Sequence, residues 1–339
     1  MSESLAGKAN VLPRQALAPL ISLAILLCCQ TPALAEWHQQ QRDIMGTRIS
    51  VELWHEEALP ASKCSEKVFA EMRRIEGLMS TYKNDSEISY INNNAAQNPV
   101  AISDEMMHLI KRSIYFSEIS KGAFDITYAS VGYAYDYRKR LQPSDESISE
   151  KLPAIDYHHL MISGDKIQFG NDAVRINLGG IAKGYAVDRA ADIIGQCGIT
   201  QAMVSAGGDS RIMGDRAGRP WVIGIKHPRN PDDVALRLPL SESAISTSGD
   251  YERFFIDNGN RVHHIINPAT GRSATASWSA TVVGPDALTT DALSTTIFIL
   301  GAVDGIALIE TLEGIDAIII DSDGKVHYSS GFVAPEVDG

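Results

Sequence analysis

The sequence predicts a single α+β domain behind an N-terminal export signal. Segments with helical and with strand periodicity both occur, but they do not alternate strictly, which favours α+β over a doubly wound parallel sheet. The chain has 339 residues, enough for a sizeable core. No repeat or long linker divides it, so we expect one domain over residues 36–339.

Residues 1–35 have the pattern of a secretory signal peptide. Basic residues precede a short apolar run, 17–29, and the sequence "ALA" at 33–35 forms a cleavage site. The run is shorter than a comfortable bilayer span. We expect cleavage at this site and a periplasmic protein. A lipid anchor on Cys28 or Cys29, with inner-membrane association, is the less favoured alternative, because the residues before each cysteine do not suit a lipobox.

The acidic charge limits the classes of partner. A formal net charge of −12 argues against nucleic acid and anionic membrane surfaces. A phosphate-bearing ligand would therefore need a local group that attracts or binds anions, such as a glycine loop, a lysine or a metal ion.

Two cysteines remain after cleavage, Cys64 and Cys197. An oxidising compartment permits a disulfide, but the sequence alone does not pair them. Two buried thiols are the simpler interpretation.

Helices are predicted where apolar residues recur at helical spacing. Residues 61–80 carry four such positions on one face, and Ser103 followed by two acidic residues starts a second helix. Further helices are expected at 184–198 and at 291–312, the latter with Gly301 inside it. The four positions of the first helix are Val68, Met72, Ile75 and Met79.

Strands are predicted where apolar residues alternate or form short runs bounded by glycine. Residues 44–53 and the sequence "AVRINL" (173–178) are each expected to be a strand, and residues 316–329 a hairpin that turns at Asp323-Gly324. Residues 134–152 are polar and are expected to lie on the surface. Other strands are expected at 202–214 and 220–228, and as a pair formed by 244–255 and 261–271.

The sequence "NLGGIAKGYAVDRA" (177–190) places glycines directly before a helix. It matches neither the P-loop nor the G-x-G-x-x-G pattern. One interpretation is close approach to a phosphate, with Lys183 adding charge. A tight turn between a strand and a helix explains the glycines equally well.

Three further positions carry chemistry, each with a plainer alternative. Asp291 and Thr295 lie one helical turn apart, which suits an Mg²⁺ site, although the Asp could simply cap the helix. His264 is a candidate general base or a structural histidine near a turn. Tyr82 could stack on a flat ligand or cover a core edge.

Eight motifs in order, from about Met45 to Gly301, resemble the ApbE family of FAD:protein FMN transferases. They are "IMGT", "MSTYKNDSEIS", "GAFD", "NLGGIAKGYAVDRAADII", "SAGGD", "STSGDYERFF", "HHIINPATG" and "TTDALSTTIFILG".

The resemblance implies a single α+β, T-fold-like domain that binds FAD with Mg²⁺ and cleaves the pyrophosphate. FMN would pass to a Thr or Ser of an exported flavoprotein, with release of AMP. An Mg²⁺-dependent FAD pyrophosphatase and a flavin-binding accessory protein without turnover are the alternatives.

By the same resemblance, three groups of residues form the site. Asn177, like Asn267, stands where many relatives have Asp. The predicted FAD contacts are Met45, Tyr82, Ala123, Phe124, Asp125, Asn177, Lys183 and Ile265. The predicted metal ligands are the Gly180 carbonyl, Asp291 and Thr295, and the predicted catalytic residue is His264.

Overall fold

The computed structural model describes residues 35–230 and 232–332. The predicted signal peptide, with Cys28 and Cys29, lies outside the described residues except for Ala35. The helices are α1 (Ala58–Met79), α2 (Glu87–Asn94), α3 (Asp104–Ile119), α4 (Ala129–Gly132), α5 (Asp145–Lys151), α6 (Ala182–Gln196) and α7 (Ala287–Ile309), with 3₁₀ turns at Ile126–Tyr128, Leu152–Ala154 and Tyr157–His159.

The strands make one large sheet and four small ones. They are β1 (Glu36–Ile44), β2 (Thr47–His55), β3 (Val100–Ala101), β4 (Leu160–Ser163), β5 (Lys166–Phe169), β6 (Ala202–Ala206), β7 (Asp209–Met213), β8 (Trp221–Lys226), β9 (Val234–Leu240), β10 (Ser243–Gly249), β11 (Phe254–Asp257), β12 (Asn260–His263), β13 (Ile266–Asn267), β14 (Arg272–Ser273), β15 (Ser277–Gly284), β16 (Asp316–Asp321) and β17 (Val326–Tyr328).

The large sheet is antiparallel and has the order β1-β2-β6-β7-β10-β15-β16-β17. Helices α1, α6 and α7 pack on one of its faces. The small sheets are β3-β5-β4, β8-β9, β11-β12 and β13-β14. Helices and antiparallel strands do not alternate along the chain, so the α+β prediction is confirmed.

The core lies between the sheet and the three helices. On β2 the alternating residues Ile49, Val51 and Leu53 are fully buried. The predicted apolar face of α1 is also buried. Among the described residues, α7 is the one helix apolar and long enough to cross a membrane, but most of it is buried inside this domain, where it serves as a core helix.

Three strand predictions were wrong in detail. Residues 44–53 form the end of β1, a tight turn and β2. The predicted strand 173–178 has no ladder, because side chains satisfy its backbone: Asn92 accepts from the N–H of Ile176, and Ser130 from that of Arg175. Residues 244–255 do not pair with 261–271 as one unit, since β10 joins the large sheet while β11 and β12 form their own hairpin.

Cys64 and Cys197 are bonded to each other, so the pairing that the sequence leaves open is present and the simpler interpretation of two buried thiols was wrong. Their Cα atoms are 6.3 Å apart, and the bond joins α1 to the end of α6 across 133 residues of chain. A covalent bridge between two core helices is typical of an oxidising compartment.

Removing this bridge should destabilise the domain. We expect the double variant Cys64→Ala/Cys197→Ala to lose about 2–4 kcal/mol of unfolding free energy, because the unfolded chain is no longer cross-linked. Urea unfolding followed by circular dichroism measures this. Reduced wild type should match the double variant, and a reductant without effect on wild-type stability would contradict the bridge.

Candidate functional site

Helices α6 and α7 approach so closely that only a glycine fits between them. A Cβ on Gly184 would collide with the carbonyl of Ala287. Each helix caps the other: Asp188 on α6 accepts the N–H groups of Ala287 and Leu288, both at 2.8 Å. Asp291 on α7 accepts the N–H of Gly184 at 2.9 Å. Because a helix N-terminus favours a carboxylate, this contact holds Asp291 at the start of α6.

Two buried carboxylates share one ammonium group at this point. Lys183 Nζ lies 2.5 Å from Asp209 Oδ2 and 3.3 Å from Asp291 Oδ1. Burial opposes the charge on Lys183, but the two carboxylates outweigh it and hold its pKa above the ordinary value. Burial and the nearby charge of Asp209 raise the pKa of Asp291. Lys183 is closer to Asp209, so Asp291 is the less compensated charge and would benefit from a second cation.

A chain of hydroxyl groups orients Thr295. Ser294 donates to the backbone carbonyl of Asp291 at 2.9 Å, so its oxygen accepts from Ser248, also at 2.9 Å. Ser248 has then used its proton and accepts from Thr295 at 3.2 Å. Each hydroxyl has a single proton, so Thr295 directs its proton toward Ser248. Its oxygen lone pairs are left for an electropositive ligand.

The glycine loop brings backbone close to these groups. A Cβ on Gly180 would lie 3.2 Å from Phe124 Cε2 and 3.6 Å from Thr295 Oγ1. A Cβ on Gly179 would lie 2.9 Å from Asn177 Oδ1, which accepts the Gly179 N–H at 2.7 Å. Neither glycine has a positive φ. Close approach, rather than a left-handed backbone, is therefore the reason for glycine at both positions.

The three predicted metal residues lie in one place. Within residues 35–230 and 232–332, no group of three or more His, Cys, Asp or Glu side chains could hold a metal ion, so a metal here must use other oxygen ligands. A carboxylate on Asp291, a hydroxyl lone pair on Thr295 and backbone at Gly180 provide such a set, which suits Mg²⁺. The carboxylate already binds a cation, the Lys183 ammonium. The residues present therefore fit the metal.

Met45 and Tyr82 border the same region. Met45 stands in the two-residue turn between β1 and β2, where it has a φ of 56° and Gly46 a φ of 69°. Its N–H donates to Glu76 Oε1 at 2.9 Å, which fixes the turn on α1. Tyr82 is 90% exposed. Its ring therefore does not cover a core edge and is available for stacking.

The segment Ala123-Phe124-Asp125 packs against the glycine loop, where the Phe124 ring lies beside Gly180. Ala123 is partly buried and Phe124 buried. Asp125 uses its carboxylate internally, since it accepts the N–H and hydroxyl of Thr127 at 2.8 and 2.6 Å and the N–H of Tyr157 at 2.8 Å. A contact from Asp125 to a ligand would therefore come from its backbone.

The two adjacent histidines differ in their partners. His263 Nε2 donates to the Ala274 carbonyl at 2.7 Å, and its Nδ1 accepts from the N–H of the buried Ile265 at 3.3 Å. His263 is thus the structural histidine. His264 Nδ1 is buried without a hydrogen-bond partner among the described residues. Burial, with the charge of Arg253, lowers the pKa of His264 to about 3. The ring is therefore neutral in the folded protein.

Hydrogen bonds tie these segments together. Asn177 Nδ2 donates to Thr81 Oγ1 at 3.3 Å, which joins the glycine loop to the loop of Tyr82. Arg253 donates to the Gly46 carbonyl at 3.2 Å and accepts the His264 N–H on its own carbonyl, also at 3.2 Å. The structure therefore brings the segments that carry the predicted site residues to one region.

A family model described as the ApbE family matches residues 45–319. The chain belongs to the ApbE family. The FAD:protein FMN transferase of Vibrio cholerae is 30% identical over 331 residues, with 95% of this chain and 98% of that protein covered. The FAD:protein FMN transferase of Haemophilus influenzae is 31% identical, with coverages of 76% and 79%.

Solved ApbE structures have the same fold. The ApbE protein from Thermotoga maritima gives a TM-score of 0.81 at 34% identity, with 88% of this chain and 98% of that chain covered. The flavin transferase ApbE from Vibrio cholerae gives 0.79 at 28% identity, with the same coverages. The ApbE-like α+β fold and the prediction of a transferase enzyme are confirmed.

Sequence reasoning missed four residues that organise the site: Gly184, Asp209, Ser248 and Ser294. Asp209 and Ser248 stand in the quoted motifs "SAGGD" and "STSGDYERFF", but neither has a spacing that predicts chemistry. Their roles come from contacts with α6 and α7, which are distant in sequence.

His264 should remain neutral well below the pH at which an ordinary histidine gains a proton. Its pKa is lowered from 6.5 to about 3, so below pH 6.5 the unfolded chain binds a proton that the folded protein does not. Stability should therefore fall as the pH drops from 6.5 toward 3, and His264→Asn should make this decline shallower.

Histidine-selective ¹⁵N NMR at pH 5, with His264→Asn used to assign the signal, should show a neutral ring. A titration midpoint near 6.5 for His264 would contradict the burial argument.

Proposed function

We propose that this protein is an Mg²⁺-dependent FAD:protein FMN transferase. It cleaves the FAD pyrophosphate, attaches FMN through a phosphoester to a Thr or Ser of an exported flavoprotein, and releases AMP. The observation that carries the proposal is the convergence of Asp291, Thr295 and Gly180 beside the glycine loop and Lys183. Family membership and the names of the relatives support the flavin substrate.

In the proposed reaction, the acceptor oxygen forms a bond to the FMN-side phosphorus and the bond to the AMP oxygen breaks. Neutral His264 accepts the hydroxyl proton of the acceptor, and AMP leaves. Mg²⁺ held by Asp291, Thr295 and the Gly180 carbonyl would neutralise charge on the pyrophosphate. Lys183 adds a positive charge at the loop, and the exposed ring of Tyr82 offers a stacking surface for the flavin.

One assay separates the candidate activities. Purified protein is incubated with FAD, Mg²⁺ and a candidate exported acceptor, and both AMP and protein-linked flavin fluorescence are measured. Fluorescent acceptor together with AMP supports the transferase. Free FMN with AMP and no labelled acceptor would identify a pyrophosphatase, and bound FAD without AMP a binding protein.

We further propose that the protein works in the periplasm after cleavage behind Ala35. The bond between Cys64 and Cys197 supports an oxidising compartment. Mass spectrometry of the mature protein should give Glu36 as its first residue. Diacylglycerol on Cys28 or Cys29 would instead show a lipid-anchored protein.

Replacing Asp291 by Ala should abolish Mg²⁺-dependent AMP release, because it removes the only carboxylate of the proposed metal set. FAD should still bind through its ring system, so equilibrium titration by flavin fluorescence separates binding from turnover. Asp304→Ala, which removes an exposed carboxylate from the same helix, is the matched control. Undiminished Mg²⁺-dependent AMP release by Asp291→Ala would refute the metal assignment.

Replacing His264 by Ala should slow transfer by about 10²–10⁴-fold, the usual contribution of a general base, while FAD affinity changes little. Single-turnover AMP release at saturating FAD measures the rate. His263→Ala should instead lower the melting temperature, because its partners Ala274 and Ile265 lose their hydrogen bonds. A His264→Ala protein that turns over normally but binds FAD poorly would make His264 a binding residue.

A further inference from the structure

A second cleft lies on the face of the large sheet opposite α6 and α7, and Glu76 of α1 is among the residues that line it. Its volume is about 730 Å³, and none of the predicted site residues lines it. Its floor includes Ser50, Ser205 and Ser210, which are neighbours in register across β2, β6 and β7. Short side chains there leave room above the sheet for another segment of chain.

One wall of the cleft is the edge of a strand. The four consecutive residues of β8 from Ile223 to Lys226 all line it. Successive side chains of a strand point to opposite faces, so a run of consecutive lining residues indicates that the backbone edge faces the cleft. Strand β8 pairs only with β9 among the described residues, and its other edge therefore has main-chain groups free for a partner.

The ladder between β8 and β9 shows which groups these are. Pro239 has no N–H, so it fits an antiparallel ladder where its nitrogen points away from the neighbouring strand. Its partner Val222 therefore points its N–H and C=O away from β9. The same orientation recurs two residues later at Gly224, which pairs with Arg237. The proline interrupts the outer edge of β9. The outer edge of β8 has no such interruption.

Neighbouring residues in two chain segments connect the cleft with the candidate functional site. Gly208 lines the cleft, while its neighbour Asp209 binds Lys183. Gly46 lines the cleft and accepts the hydrogen bond of Arg253, whose carbonyl holds the His264 backbone. A chain lying in the cleft would therefore pass beside the catalytic histidine loop.

We propose that this cleft docks the acceptor protein as an extended segment, which adds to β8 through main-chain hydrogen bonds and delivers its Thr or Ser past Gly208. The proposal rests on the transferase function given above. Strand addition gives affinity through backbone groups, so it suits an enzyme that must accept a short segment from another protein. Gly224 provides one outward N–H and C=O pair for it.

A matched pair of proline variants tests this docking. Gly224→Pro removes an N–H from the edge of β8 that faces the cleft. Arg237→Pro, at the position paired with Gly224, removes an N–H from the outer edge of β9, which faces away from the cleft. A second pair consists of tryptophan variants. Ser205→Trp fills the floor of the cleft, whereas Met203→Trp lies on the same strand and face but outside the cleft. Thermal melts and FAD titration establish that each variant folds and binds flavin.

The probe is a set of ten-residue synthetic peptides of varied sequence, each with one central Thr, incubated with FAD and Mg²⁺. We expect wild type to label some of them with FMN. Gly224→Pro and Ser205→Trp should each reduce labelling at least about tenfold. The first removes main-chain hydrogen bonds to the docked segment, and the second occupies the space in which the segment would lie. Arg237→Pro and Met203→Trp should label like wild type, and FAD affinity should be equal in all five proteins.

Equal labelling by both members of each pair would overturn the docking proposal. So would a wild type that releases AMP from FAD but labels no peptide, since an edge strand should accept an isolated segment. A wild type that binds FAD and never releases AMP would instead refute the transferase function, and the docking proposal would fall with it.

Discussion

The contact between α6 and α7 at Gly184 is the constraint on which the site depends. It is a backbone-to-backbone approach that leaves no room for a Cβ. The reciprocal caps follow from it, because Asp188 reaches the N-terminus of α7 and Asp291 the N-terminus of α6 only at this separation. The buried charges, the proposed metal ligands and the glycine loop are therefore brought together by core packing and not by the loop alone.

The same packing accounts for how an acidic protein could bind the pyrophosphate of the proposed substrate. Asp209 and Asp291 are buried beside one another and share the Lys183 ammonium group, so one negative charge remains, mainly on Asp291, for a second cation to balance. In the proposed function, a metal ion at Asp291 would complete the balance and leave Lys183 available to phosphate. The hydroxyls of Ser248 and Ser294 contribute by fixing the direction of the Thr295 proton.

The sequence predicted what depends on local pattern. The apolar face of α1, the Ser103 cap and the Asp323-Gly324 hairpin were correct, because spacing and capping determine them. The predicted strand at 173–178 was wrong, because Asn92 and Ser130 from other segments satisfy its backbone. Asp209 and Ser248 could not be found by spacing, since tertiary contacts alone give them a role. The sequence alone does not decide the role of the glycine loop, whereas the structure shows close approach at Gly180.

The most direct test compares two glycines of the same helix. Gly184→Ala places a Cβ against the Ala287 carbonyl, whereas Gly195→Ala meets only Met213 Cε at 3.9 Å. Mg²⁺ binding in the presence of FAD is measured by isothermal calorimetry on both variants. We predict that Gly184→Ala loses about 1–3 kcal/mol of stability through overpacking and binds Mg²⁺ at least tenfold more weakly, a change of about 1.4 kcal/mol. Gly195→Ala should keep both properties. Wild-type Mg²⁺ affinity in Gly184→Ala would contradict the claim that this helix contact builds the site.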